Sequence, residues 1–169
     1  MINYFWAIVC LINMSGYLST ISEPQVIKCE YAERVEEISS ENILRHNVGQ
    51  NLLYQPDAFG QKNLDNKLWH VKASGEQFVK LWFSKPVHTN TIFIYELLNT
   101  GTVYEVEVFD ENNELKVTRQ VESKNLKNTI KVVNVYLGEV NFEIQSVSIT
   151  IKNKFNRAYT VMIDAVGLC

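Results

Sequence analysis

The sequence predicts an all-β protein: an antiparallel β-sandwich of about eight strands, with a short helix in a long N-terminal loop region. Three observations carry this. From Phe78 onward apolar and polar residues alternate with period two, the mark of strands with one face buried. The strand-like runs recur at regular spacing with short polar turns between them, and no helical pattern alternates with them. The chain has 169 residues, 46% hydrophobic and 21% charged, which suits one globular domain better than two.

The elements follow in order. Tyr4 to Met14 is a short apolar run, followed by small residues with Thr20 and Ser22 placed for cleavage before Glu23. We read residues 1–22 as a signal peptide and 23–169 as the mature domain. A buried N-terminal helix and an uncleaved anchor are the alternatives. A first strand is expected near Val26 to Val35. Ser39 to Asn47 suits the short helix, capped by Ser39 or Ser40. Leu52 to Val71 mixes Pro, Asp, Gly and Asn with large apolar residues and reads as a long structured loop, a common carrier of function.

The strands after it are clearer. "FVKLWF" (Phe78 to Phe83) puts Val79, Leu81 and Phe83 on one face, and "TIFIYEL" (Thr91 to Leu97) is rich in β-formers. "VYEVEVFD" (Val103 to Asp110) places Tyr104, Val106 and Val108 one way and Glu105 and Glu107 the other. "DENNE" is a turn signal leading into a returning strand, Leu115 to Val121. Three more runs complete the set: Thr129 to Leu137, Ile144 to Ile151 and Tyr159 to Val166.

Charge and cysteines restrict function. The net charge of −3 argues against a nucleic-acid binder, which shows a basic face. Of three cysteines, Cys10 leaves with the leader; Cys29 and Cys169 remain. In an oxidising compartment an even pair is read as a disulfide, with two free thiols as the alternative. With the leader over residues 1–22, the expected localisation is secreted, or extracellular.

"QPDAFG", "LWHV", "LWFSKPVHTNTIFIYELLNTGTVYEVEVFD" and "MIDAVGL" follow one another in this order. The series resembles the galactose-binding-domain-like jelly rolls, related to the discoidin (coagulation factor 5/8 C-type) domains. It is most similar to the β-sandwich of pappalysin-type and F-box leucine-rich-repeat proteins. The match runs through Pro56, Asp57, Trp69, Phe83, Pro86, Val87, Ile92, Ile94, Tyr95, Glu96, Asn99, Gly101, Val103, Asp164, Ala165, Val166 and Leu168. Thr100 stands where a Pro often precedes the Gly, and Asn112 and Asn113 replace a Gly-containing turn. The resemblance implies that the all-β sandwich is an antiparallel jelly-roll β-sandwich, a noncatalytic binding scaffold whose two ends are commonly joined by a disulfide, as Cys29 and Cys169 would do.

Within that expectation, Glu96 has two readings: a ligand-facing carboxylate, or a group that fixes the corner by accepting from loop N–H groups or pairing with a cation. The loops of such relatives often hold a structural calcium ion, for which Asp57, Asn63 and Asp65 supply oxygen; otherwise no cofactor is expected. No nucleophile elbow and no H-E-x-x-H motif is present, so catalysis is not expected. The expected ligand contacts are Phe59, Gln61, Asn63, Trp69, Phe155 and Arg157, in loops at one end of the sandwich. The expected ligand is a glycan, held by aromatic stacking and planar hydrogen bonds. The alternatives are an extracellular protein partner, or a membrane surface with Phe155 as an apolar spike.

Overall fold

The computed structural model describes residues 28–39, 52–57, 68–71, 75–100, 102–122, 126–153 and 161–169. They form ten strands: β1 (Glu30–Tyr31), β2 (Arg34–Ile38), β3 (Trp69–Val71), β4 (Gly75–Val87), β5 (Thr91–Thr100), β6 (Val103–Phe109), β7 (Leu115–Gln120), β8 (Leu126–Tyr136), β9 (Ile144–Asn153) and β10 (Val161–Leu168). All pairings are antiparallel. One sheet has the order β1-β10-β5-β8, with β3 also on β10; the other runs β2-β4-β9-β6-β7. The chain changes sheet at most connections, and the result is a jelly-roll sandwich.

The two strands beyond the expected eight have simple origins. The predicted first strand breaks at Ala32–Glu33 and switches sheets, giving β1 and β2. Trp69–Val71, at the end of the long loop, adds to β10. Of the helix expected over Ser39 to Asn47, Ser39 is a bend whose N–H donates to Phe78 O at 2.9 Å, and residues 40–47, like the leader over 1–22, lie outside the described residues.

The core follows the period-two pattern. Val79, Leu81 and Phe83 of β4 meet Val147, Ile149 and Ile151 of β9 and Val106 and Val108 of β6. The facing sheet contributes Ile92, Ile94, Val133, Val135, Ile163, Val166 and Leu168. Full burial of each such side chain stabilises by about 1.5–3 kcal/mol before entropy is charged. Tyr104 departs from the expected alternation. The β6–β9 register shifts between Val103 and Glu105, so Val103 is buried and Tyr104 points out, with Lys152 Nζ 5.1 Å from its ring centre.

Two features fix the ends. Cys29 and Cys169 form a disulfide across a separation of 140 residues, closing almost the whole domain into one loop. At the same end β4 leaves its ladder: pairing with β9 is regular to Trp82 and resumes only at Val87 with Ile144. Pro86, which has no N–H to give, sits in that gap. The side-chain amide of Gln145 donates to the Phe83 carbonyl there, satisfying a group the ladder no longer reaches.

Candidate functional site

The corner that the sequence singled out is structural. Glu96 is wholly buried, and its Oε1 accepts from Thr102 N at 3.1 Å, Thr102 Oγ1 at 3.0 Å and Val103 N at 3.2 Å. A carboxylate here satisfies donors that the turn from β5 to β6 would otherwise bury unpaired. Of the two readings of Glu96, the corner-fixing one describes these contacts. Asp164 is also buried, at the residue where the β10–β5 register shifts between Ile163 and Ala165.

At the opposite end of β5, beside the disulfide, the β4–β5 and β8–β9 connections enclose an open groove of about 700 Å³. His88, Thr89 and Asn90 line one wall, and Tyr136, Gly138, Glu139, Val140 and Asn141 the other. The walls are laced together. Leu137 N donates to Asn90 O at 2.8 Å, and Cys169 N donates to Thr91 O at 3.1 Å. The Thr89 hydroxyl donates to the Cys169 carbonyl, so the disulfide-bonded C-terminal residue anchors the His88 wall. From the second sheet, the Arg119 guanidinium reaches across to the Leu137 carbonyl.

Local sequence explains this shape. Val133 and Val135 of β8 and Leu137 just after it point inward, which turns Tyr136 outward, 65% exposed. Gly138 follows at φ +89°, a conformation costly for any residue with a Cβ, and an added Cβ would also sit 3.2 Å from the Arg119 guanidinium. The chain therefore turns sharply under Tyr136 and leaves the ring standing at the groove wall. His88, Asn90, Glu139 and Asn141 are exposed beside it. An exposed aromatic face among amide, imidazole and carboxylate groups can stack on an apolar ligand face and hydrogen-bond its hydroxyls.

A second groove of about 600 Å³ lies on the other side of the disulfide, lined by residues of 28–33 and 53–57. Tyr31 borders it. Burial, with a hydrogen bond to Tyr95, pushes the Tyr31 phenol well above its usual range, so it stays neutral.

The sequence-predicted contacts distribute differently. Trp69 is wholly buried within the core cluster and does not face solvent, because β3 packs it against the sandwich rather than displaying it. Among the described residues its indole Nε1 is the buried side-chain polar atom without a hydrogen-bond partner. Asp57 is exposed and lines the second groove. Phe59, Gln61, Asn63, Asp65, Phe155 and Arg157 lie outside the described residues. Among the described residues no group of three or more His, Cys, Asp or Glu side chains is placed to hold a metal ion. The Tyr136 groove was missed because its walls read as ordinary turns. The signal that could have found it is a tyrosine on the polar face of a strand immediately before a Leu-Gly step.

No known protein-family model matches the sequence, and no curated protein matches it. Solved structures do match. A chain from the crystal structure of reduced XRCC1 bound to the DNA polymerase beta catalytic domain superposes with a TM-score of 0.61 at 13% identity, covering 83% of this chain and 98% of that one. CpGH89CBM32-4 of Clostridium perfringens, solved with GlcNAc-α-1,4-galactose, gives 0.54 at 16% identity, covering 87% and 98%. The Streptococcus pneumoniae fucose-binding module SpX-3 gives 0.52 at 13% identity, covering 83% and 96%. At these identities the likeness is one of fold. The architecture they share with this chain is an antiparallel jelly-roll β-sandwich.

Proposed function

We propose that this chain is a secreted, noncatalytic binding module that holds a glycan in the groove beside Tyr136. Residues 1–22 are its leader and 23–169 its working domain. The observation that carries the reading is the groove itself: an exposed tyrosine flanked by His88, Asn90, Glu139 and Asn141 on walls pinned by backbone hydrogen bonds and the disulfide. Such walls are preorganised, so a weakly interacting sugar spends little of its binding energy on ordering them. The test is a glycan array read with the purified 23–169 domain and its Tyr136→Ala variant. Binding to a defined sugar class, lost in the variant at unchanged melting temperature, is expected. A wild-type domain that captures no glycan would overturn the reading, and a captured protein or liposome would move it to the extracellular-partner or membrane-surface class.

The contacts expected from the sequence, Phe59, Gln61, Asn63, Phe155 and Arg157, are a second candidate set. If Phe155→Ala rather than Tyr136→Ala abolishes array binding, the ligand sits there. Calcium, through Asp57, Asn63 and Asp65, would raise the melting temperature in a titration.

A further inference from the structure

The two grooves at the disulfide end belong together. Cys29 lines the second, while its partner Cys169 is hydrogen-bonded to Thr89 and Thr91 beside the first, so the disulfide joins the margins of the two. In the sheet, β1 borders the second groove and β8 the first, three strand spacings apart, roughly 15 Å.

Each groove carries one prominent tyrosine. Tyr54 is 64% exposed and Tyr136 65%, more than any other exposed large apolar or aromatic side chain among the described residues. Tyr54 holds this position at a cost. Its φ is +71°, a left-handed conformation unusual for a residue with a Cβ, fixed by its N–H donating to Ala32 O at 2.8 Å. The combined lining carries four carboxylates (Glu30, Glu33, Asp57 and Glu139) against one ammonium, Lys28. That balance repels a polyanion and leaves abundant acceptors for hydroxyl donors.

We propose that the two grooves form one extended site for an uncharged linear oligosaccharide, with one sugar stacked on Tyr136 and another, further along the same chain, on Tyr54. This rests on the reading of the Tyr136 groove as a glycan site. It adds that the ligand is a polymer segment and that acidic glycans are excluded. Two linked contacts on one chain act by effective concentration, so affinity rises with length once both grooves are spanned.

The experiment is calorimetric titration of the domain with uncharged galacto-oligosaccharides and N-acetyl-chito-oligosaccharides, from monosaccharide to hexasaccharide, beside oligogalacturonates of matched length. The expected result is a rise of about tenfold or more in affinity between the short and long members of one uncharged series. Tyr54→Ala should flatten that rise and Tyr54→Phe keep it, while Tyr136→Ala removes binding at every length. Oligogalacturonates should bind at least about tenfold more weakly, through repulsion by the lining carboxylates. A flat wild-type series, a rise that survives Tyr54→Ala, or equal binding of the acidic series would overturn the extended site while leaving the Tyr136 groove intact. Absence of binding by every sugar would overturn both.

Discussion

At the scale of single residues, two positions hold geometry that their neighbours cannot supply. Glu96 is acceptor to two backbone N–H groups and one hydroxyl in a wholly buried corner. Replacing it by Ala strands those donors, each worth about 1–3 kcal/mol when buried unpaired. Glu96→Ala is therefore expected to lower unfolding free energy by roughly 3 kcal/mol or more in urea titration, and Glu96→Gln, which keeps an acceptor oxygen, by clearly less. Gly138 turns the chain under Tyr136 at φ +89°. Gly138→Ala is expected to cost about 1 kcal/mol or more in urea titration and to weaken ligand binding in calorimetric titration. Part of this was legible. Glu96 at the end of an I-x-I-Y-E run pointed to a corner acceptor. Tyr136 and Gly138 drew no notice, because a tyrosine on a strand's wet face and a glycine after it are individually commonplace.

At the scale of elements, alternation predicted the strands well and their irregularities not at all. Inward residues of β4, β8 and β9 are those that period two selects. The register shift that turns Tyr104 outward depends on which residue of β9 pairs with which of β6, a property of the assembled ladder. The β6–β7 hairpin shows sequence and structure in agreement. "DENNE" forms the turn, with Asp110 Oδ1 accepting from Asn112 N and Glu114 N, both at 3.0 Å, and Asn113 at φ +61° in place of glycine. Lys116, 2.9 Å from Asp110 Oδ2, with those two N–H groups, holds the Asp110 carboxyl below its usual range. A depressed folded-state value means stability that is present above the unfolded value and lost as pH falls through the folded one. The stability advantage of the wild type over Asp110→Asn should therefore hold at neutral pH and disappear on acidification below about pH 4, followed by circular dichroism in urea. An advantage that persists unchanged at low pH would contradict this role.

At the scale of the whole molecule, the disulfide links the last residue of the sandwich to the start of β1 and to the walls of both end grooves. The loop it closes, with a separation of 140 residues, is worth roughly 5 kcal/mol in the chain-entropy treatment, an upper figure where the unfolded chain retains structure. Reduction, or Cys29→Ser with Cys169→Ser, should lower the melting temperature markedly and weaken groove binding even where the domain stays folded. The architecture was legible because motif order, strand spacing and the terminal cysteine all pointed one way. The groove was not, because it arises where two unremarkable turns, far apart in sequence, meet through Leu137 and Asn90. The most direct test of its role is amide chemical-shift mapping of the domain titrated with a sugar that the array identifies. Shifts concentrated at Thr89, Asn90 and Gly138 to Asn141, saturating with the ligand, are the expected result. Shifts confined to residues 154–160 and the long loop, with those amides unmoved, would contradict it.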